Sequence, residues 1–234
     1  MLKEVDTNIW VAKQNLKYWG LEVGTRMTVI RLNNGELVII SPIKVDEETI
    51  AKINEVGKVS IIIAPNLYHH LFISNFKSIY SDAKIFAAPG LEFKRQDINF
   101  DRIINQGKFG AEDEIEYFLF EGLRVLDLKG AFPLNEIVFF HRASQTLILT
   151  DTAFHFDESF PFTTQLIMRL IGGYKKLEPS ILEKLAIREK QKVKNSIQKA
   201  LEWDFERVIV AHGSILENQG KEKLIQGYEW ALCC

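Results

Sequence analysis

The feature that most constrains this chain is a set of short apolar runs, rich in β-branched residues, that end close to His or Asp. Three such runs stand out: residues 60–64 precede His69 and His70, residues 146–150 precede Asp151, and residues 207–211 precede His212. Runs of this kind are typical of buried strands. Polar side chains at strand ends can meet on one rim of a sheet, where solvent reaches them and the scaffold is rigid. Imidazoles and a carboxylate on such a rim predict a metal site.

Length and charge narrow the function classes. The 234 residues, of which 47% are hydrophobic and 26% charged, suffice for one large α/β domain or two small ones with a packed core. The formal net charge is −2, with basic and acidic residues interspersed. Because nucleic acids and anionic membranes attract basic surfaces, we expect neither as a partner, and a small-molecule substrate instead.

The ends of the chain favour a cytoplasmic protein. The apolar runs are shorter than the roughly 18 residues that span a bilayer, and the first residues lack the apolar stretch of a signal peptide. The two cysteines, Cys233 and Cys234, are adjacent at the end of the sequence. Neither can join distant segments, so we predict no disulfide framework and read the pair as idle thiols of a mobile tail.

Alternating and β-branched residues predict ten strands. These are residues 8–11, 27–32, 37–41, 60–64, 84–87, 116–120, 123–128, 137–141, 146–150 and 207–211. Turn residues at 33–35, 121–122 and 142–145 predict that each joins its two flanking strands in a hairpin.

The remaining segments read as helices. Residues 46–56 begin with acids and precede Gly57, as helix capping and the helix dipole prefer, and residues 70–80 form a second amphipathic stretch. Later helices are predicted at 163–170, 179–187, 190–202 and 221–232. No repeat or low-complexity linker is present, which favours a single domain over 1–234 with a helical insertion at about 160–205. Strand-rich segments followed by helices predict an α/β (α+β) sandwich of sheets covered by helices.

Three segments resemble the metallo-β-lactamase superfamily. Asp6 to Trp10 is similar to its first strand, Val208 to Gly213 resembles its last metal-binding segment, and residues 64–71 (Ala-Pro-Asn-Leu-Tyr-His-His-Leu) resemble its branch domain of unknown function 4336. The resemblance implies an αβ/βα four-layer sandwich of the metallo-β-lactamase type.

The resemblance also implies a reduced metal site. Members normally carry His-x-His-x-Asp-His and bind two ions. Placing the last His of this motif on His70 puts Pro65 and Leu67 at the first two ligand positions and His69 at the aspartate. A further family ligand, a Gly-His near residues 130–132, is also missing. The ligands of the other ion are retained, at the positions of His69, His70, Asp151 and His212. This ligand set suits one zinc ion, with iron or manganese as other acceptable metals.

Three further polar residues are placed by the predicted hairpin at 142–145. His141 lies beside the turn, about 16 Å from Asp151 at about 3.3 Å per residue, so we expect it on the surface. Glu136 comes close to Asp151 and could supplement the ligands. His155 follows Asp151 by four residues and lines the mouth of the site, so Asp151, Glu136 or His155 is the candidate base.

Two functions fit this sequence. The first is a metal-dependent hydrolase that activates water against an ester, thioester or lactone. Phosphodiester hydrolysis is disfavoured, because a single ion leaves no second ion to stabilise the leaving oxygen. The alternative is a degenerate, non-catalytic ligand-binding protein, in which the surviving polar groups hydrogen-bond one another. The phenylalanines of 154–156 and 160–162 would then wall an apolar pocket or the contact of a homodimer.

Overall fold

A computed structural model describes residues 1–127 and 130–233 and contains two large β-sheets. The strands are β1 Leu2–Asp6, β2 Ile9–Gln14, β3 Lys17–Tyr18, β4 Leu21–Glu22, β5 Thr25–Arg31, β6 Glu36–Ile40, β7 Lys58–Ala64, β8 Lys84–Ala87, β9 Arg102–Ile103, β10 Gln106–Phe109, β11 Ile115–Phe120, β12 Arg124–Asp127, β13 Gly130–Pro133, β14 Glu136–His141, β15 Thr146–Ile148 and β16 Arg207–Ile209. The helices are α1 Glu47–Val56, α2 Ile73–Ile79, α3 Leu91–Lys94, α4 Phe162–Ile171, α5 Ile181–Ala186, α6 Lys190–Ala200 and α7 Gly220–Leu232.

The first sheet has seven strands in the order β1-β2-β5-β6-β7-β8-β9. Its first four strands pair antiparallel, whereas β6, β7, β8 and β9 are parallel to one another. Parallel neighbours need a crossover, and α1 and α2 supply the first two. Asp46 caps α1 by accepting a hydrogen bond from the Thr49 N–H, as the acidic start of the predicted helix indicates.

The second sheet has five strands in the order β10-β11-β14-β15-β16. The strands from β10 to β15 pair antiparallel, and β16 pairs parallel to β15. Because β15 and β16 run in the same direction, the segments that follow them leave the sheet at the same edge. Asp151 and His212 follow these two strands.

Period-two alternation separates an inner and an outer face on each sheet. In β6, Val38 and Ile40 pack between the two sheets, whereas Ile39 packs outward near α1 and α2. In β14, Ile137 and Phe139 face the first sheet, whereas Val138 faces outward with residues of α6 and α7. The layers are therefore helices, sheet, sheet, helices, and the predicted four-layer sandwich is confirmed.

Two of the three predicted hairpins are confirmed, at residues 33–35 and 142–145. The hairpin predicted at 121–122 is wrong, because β11 pairs with β14 and β12 pairs with β13. The sequence pattern could not distinguish a strand that returns beside its neighbour from one that turns away. Leu128, the last residue of the strand predicted at 123–128, lies outside the described residues, as does Cys234. Cys233 is exposed and its thiol is free.

The helices after residue 160 form close to their predicted bounds, as α4, α5, α6 and α7. The segment 70–80 yields only α2, because residues 70–72 belong to the preceding turn. The assignment of 160–205 as an insertion in one domain stays a prediction. Within the described part of the chain, no helix combines the length and apolar character needed to cross a bilayer.

His141 is buried, and its predicted surface location is wrong. It lies beside the β14–β15 turn, but β14 is flanked by β11 and β15, and the side chain is only 1% exposed with Nδ1 2.7 Å from Ser144 Oγ. Burial lowers the pKa of His141 from 6.5 to about 4.

We expect this histidine to make stability depend on pH. Between pH 6.5 and 4 the unfolded chain binds the proton and the folded chain does not, so its contribution is complete above pH 6.5 and is lost as pH falls toward 4. The loss amounts to about 3 kcal/mol at 1.36 kcal/mol per pKa unit. Urea unfolding of wild type and His141→Gln at several pH values in this range will give a shallower pH slope for the variant. Equal slopes would contradict the prediction.

Candidate metal centre

The turn after β7 is organised by Asn66. The Oδ1 of this fully buried side chain accepts hydrogen bonds from the backbone N–H groups of Tyr68 and His69, each at 2.8 Å. Asparagine commonly stabilises a turn by binding the backbone a few residues ahead in this way. The turn aims the His69 imidazole at the rim where β15 and β16 end.

Asp151 is held by the β14–β15 register. Phe139 pairs with Ile148 in this hairpin, so Glu136 comes opposite residue 151 at the open end. The Glu136 carboxylate is fully buried and accepts the backbone N–H groups of Thr150, Asp151 and Thr152, at 2.6 to 3.0 Å. Glu136 therefore lies close to Asp151, as expected, but it fixes the backbone beneath the site and is not among the converging ligand atoms.

His212 is held by the start of β5 and the turn before it. Its Nδ1 lies 2.5 Å from the Gly24 carbonyl oxygen, so Nδ1 carries the hydrogen. The buried guanidinium of Arg26 donates to the carbonyls of Val210 and Gly213, on either side of His212. Gly213 has φ +105°, and a Cβ there would lie 2.0 Å from the His155 carbonyl oxygen, so this position requires glycine.

Three side chains from separate segments converge at the rim. Nε2 of His69 lies 3.3 Å from Asp151 Oδ2, Nε2 of His212 lies 3.2 Å from Asp151 Oδ1, and the two Nε2 atoms are 3.2 Å apart. Ligand atoms of a tetrahedral zinc ion, at about 2.0–2.1 Å from the metal, are about 3.3 Å from one another. One nitrogen of each histidine and one Asp151 oxygen lie within 4.8 Å of one another, so the three residues could hold a zinc-sized ion between them.

The far side of each ring supports the same assignment. His69 Nδ1 lies 2.7 Å from Ser41 Oγ, and His212 Nδ1 donates to Gly24. Metal-binding histidines usually engage a carbonyl or other polar group with the second nitrogen, which leaves the lone pair of the first for the ion. Ser41 and Gly24 supply these contacts here, and the sequence patterns gave no role to either, nor to Arg26.

Charge within the cluster is coupled. Burial alone would raise the pKa of Asp151, but the imidazoles of His69 and His212 outweigh it and hold the pKa far below its ordinary value. Burial alone would lower the pKa of His69, and the Asp151 carboxylate instead raises it. The group thus keeps an ionised carboxylate among its ligand atoms.

His70 was predicted as a fourth ligand, but the structure does not bring it to the other three. Its ring Nδ1 is 2.9 Å from the Arg95 guanidinium, which in turn pairs with Asp97 at 2.7 Å. Burial, with the charges of Lys94 and Arg95, lowers the pKa of His70 to about 4. Consecutive side chains point in different directions, and this turn directs only the first of the two toward the rim.

The motif register therefore shifts by one residue. His69, not His70, faces Asp151 and His212, and its place as the last His of the motif puts Ala64 and Asn66 at the first two ligand positions. Tyr68 then takes the aspartate position. Neither register supplies a ligand set for a second ion.

His155 lies beside the centre without joining it. Its backbone pairs with Gly213, and the Ser214 N–H donates to its carbonyl at 2.6 Å. Its Nδ1 lies 3.1 Å from the Ser214 carbonyl oxygen, so this nitrogen carries the hydrogen and Nε2 of the neutral ring is the acceptor.

We expect Arg26→Met to weaken metal binding by about 10- to 100-fold, because the carbonyls that flank His212 lose their donors. The measurement is zinc affinity by competition with a chelating dye. Arg31→Met, at the exposed end of the same strand, is the matched control and will retain wild-type affinity. Equal affinities for the two variants would show that Arg26 does not position His212.

The fold matches metallo-β-lactamases of known structure. The enzyme from Pontibacter korlensis has a TM-score of 0.67 at 11% identity, covering 99% of this chain and 98% of that chain. The metallo-β-lactamase FIM-1 from Pseudomonas aeruginosa, in its mono-zinc form, has a TM-score of 0.65 at 9% identity and coverages of 100% and 96%. The metallo-β-lactamase from Hirschia baltica has a TM-score of 0.63 at 12% identity, covering 99% of this chain and 97% of that chain. At such identities the likeness establishes the fold alone.

Fold and rim together define a protein of the metallo-β-lactamase fold with a possible metal site of two histidines and one aspartate. The chain belongs to the family described as domain of unknown function (DUF4336), which matches residues 6–171, more than half of its length. No curated protein sequence matches the chain.

Proposed function

We propose that this protein is a metal-dependent hydrolase with a mononuclear site formed by His69, Asp151 and His212. The convergence of two Nε2 atoms and a carboxylate within 3.2 to 3.3 Å, with each ring anchored through Nδ1, carries this proposal. Two imidazoles and one carboxylate favour zinc, and iron or manganese is also compatible with them. Three protein ligands leave a coordination position for water or substrate, as in catalytic zinc sites.

An ion held there supplies Lewis acidity, which polarises a substrate carbonyl and lowers the pKa of water. The protein contributes a fixed ligand geometry and a proton acceptor. Both Asp151 oxygens face imidazoles, so Asp151 is better suited to hold the ion than to accept a proton. His155 presents Nε2 as an acceptor and its backbone is joined to the segment after His212, which makes it the preferred base.

The substrate class follows from the ligand count. Phosphodiester hydrolysis gains from a second ion that stabilises the leaving oxygen, and His69, Asp151 and His212 suffice for only one. Acyl substrates need a single polarised carbonyl. We therefore propose an ester, thioester or lactone of a small molecule as the substrate.

The test combines metal analysis with hydrolysis. Purified protein, loaded with zinc, iron or manganese and dialysed, should retain about one ion per chain and cleave a panel of esters, thioesters and lactones. Asp151→Ala should lose both the ion and the activity. His155→Gln should retain the ion and lose activity. Failure of the wild type to retain any ion from metal-replete medium would contradict the proposal.

The alternative is a non-catalytic ligand-binding protein. Its support is that Asp151 pairs with both histidines, so the three polar groups can satisfy one another without an ion. Phe162 and Leu166 on α4 also present exposed apolar surface that a ligand could contact. Ion-free protein that binds apolar ligands and hydrolyses none of the panel would favour this function.

A further inference from the structure

The amide nitrogen of Asn66 is surrounded by oxygen atoms, as a bound cation would be. The side chain is fully buried, and Nδ2 lies 2.8 Å from Asp151 Oδ2, 3.0 Å from Thr150 Oγ1 and 3.2 Å from Glu136 Oε2. A primary amide has two hydrogens, whereas three acceptors surround this nitrogen. The oxygen atoms around Nδ2 therefore outnumber the two hydrogens of the amide, and one of them, Glu136 Oε2, also accepts the N–H groups of Asp151 and Thr152.

The three oxygens belong to the chemistry that hard divalent cations prefer. Two come from carboxylates and one from a hydroxyl, and such sets suit Mg²⁺, Ca²⁺ and Mn²⁺. Cation–oxygen distances are about 2.0–2.6 Å, so an ion in place of the amide nitrogen would need the oxygens to move inward by about 0.5 to 1 Å. The amide fills this position without a formal charge.

The other end of the same side chain acts on the proposed metal ligands. Oδ1 accepts the N–H of His69, while Nδ2 binds the Asp151 carboxylate, so one residue ties together two of the three ligands. We call the space between the side-chain oxygens of Glu136, Thr150 and Asp151 the oxygen pocket. The side chain that occupies this pocket therefore also sets the positions of two proposed ligands at the rim.

We propose that the amide of Asn66 occupies a second cation position, lined by Glu136, Thr150 and Asp151, and so restricts the site to one ion. The inference extends the proposed function, since Asp151 would otherwise be shared by two ions. It predicts that replacing the amide donor with an oxygen ligand restores a site for an oxygen-preferring divalent cation.

Asn66→Asp is the sharpest test. The substitution keeps the acceptor for the Tyr68 and His69 N–H groups and exchanges the donor for a carboxylate oxygen. That oxygen repels the Glu136 and Asp151 carboxylates and turns away from them unless a cation lies among the three. Equilibrium dialysis against Mn²⁺, followed by elemental analysis, should find one more Mn²⁺ per chain than in wild type. Asn135→Asp is the matched control, because the Asn135 amide donates to the Pro89 carbonyl, and it should bind no additional ion.

The outcomes separate this inference from the proposed function. The proposed function sets the number of ions in wild type, whereas the inference sets the increment in Asn66→Asp, so a wild type without any ion contradicts only the former. A variant that folds only with Mn²⁺, or whose Tm rises with Mn²⁺ by several degrees more than that of wild type, supports the inference. A folded variant with no increment overturns it, as does a variant that stays unfolded with Mn²⁺.

Wild-type protein offers a second measurement that needs no substitution. The side-chain NH₂ of Asn66 should exchange with solvent at least 100-fold more slowly than that of the exposed Asn34, because it is enclosed by its three acceptors. Exchange at the rate of Asn34 would overturn the placement of the amide in the oxygen pocket.

Discussion

His69→Gln will lower zinc affinity by more than about 100-fold, whereas His70→Gln will leave it within about threefold of wild type. Only the first of these adjacent residues presents Nε2 to Asp151 and His212. Loss of a direct ligand should cost more than the roughly 10- to 100-fold that loss of a neighbouring hydrogen-bond partner costs. The ring of His70, which has a pKa of about 4, instead accepts a hydrogen bond from the Arg95 guanidinium. A Gln side chain at this position can still accept that hydrogen bond.

Dialysis against a competing chelator, with the retained metal measured per chain, compares the two variants directly. Circular dichroism of each ion-free variant controls for folding. The reverse order, with His70→Gln losing the metal, would restore the register in which the last His of the motif is His70. Equal losses would indicate that the turn itself, rather than one imidazole, determines binding.

Glu136→Leu will destabilise the ion-free fold by about 4 kcal/mol. The substitution leaves the buried N–H groups of Thr150, Asp151 and Thr152 without their acceptor, and each such loss costs about 1–3 kcal/mol. The total is a large fraction of the 5–15 kcal/mol typical of a folded domain. Burial and the Asp151 charge already raise the pKa of Glu136, so the pocket tolerates this carboxylate only through its hydrogen bonds.

Urea unfolding of the ion-free proteins measures this free energy of unfolding. Glu112→Leu, on an exposed turn before β11, is the control and should change it by less than about 0.5 kcal/mol. A loss below about 1 kcal/mol in Glu136→Leu would mean that water replaces the carboxylate, and the proposed anchoring of the Asp151 backbone would then be wrong.

Local patterns were sufficient for most of the architecture. The apolar, β-branched runs of β6 and β14 predicted strands, and the acidic start before Gly57 predicted α1. The hairpin register predicted that Glu136 approaches Asp151. These features depend on residues close in sequence, or on strands joined by a short turn, so the pattern contains the information.

Other predictions were wrong or incomplete where strand pairing, burial or side-chain contacts depend on segments that are distant in sequence. The turn at 121–122 does not return β12 to β11, because β14 takes that place in the sheet. His141 is buried because β11 and β15 lie on either side of its strand. Asn66 reads as an ordinary turn residue, and its contacts to Glu136 and Asp151 span 70 and 85 positions.

The sequence by itself determined ten of the sixteen strands that the structure describes, most of the helices, and the histidines and aspartate that follow the strands. Apolar runs and strand ends are local properties, whereas the short edge strands carry too few apolar residues to be recognised. Tertiary structure alone decided that His69 and not His70 faces the rim, that Asn66 fills the oxygen pocket, and that Arg26 holds the segment around His212. The reason is physical. A ligand set depends on the directions of side chains from separate segments, and packing of the two sheets sets those directions.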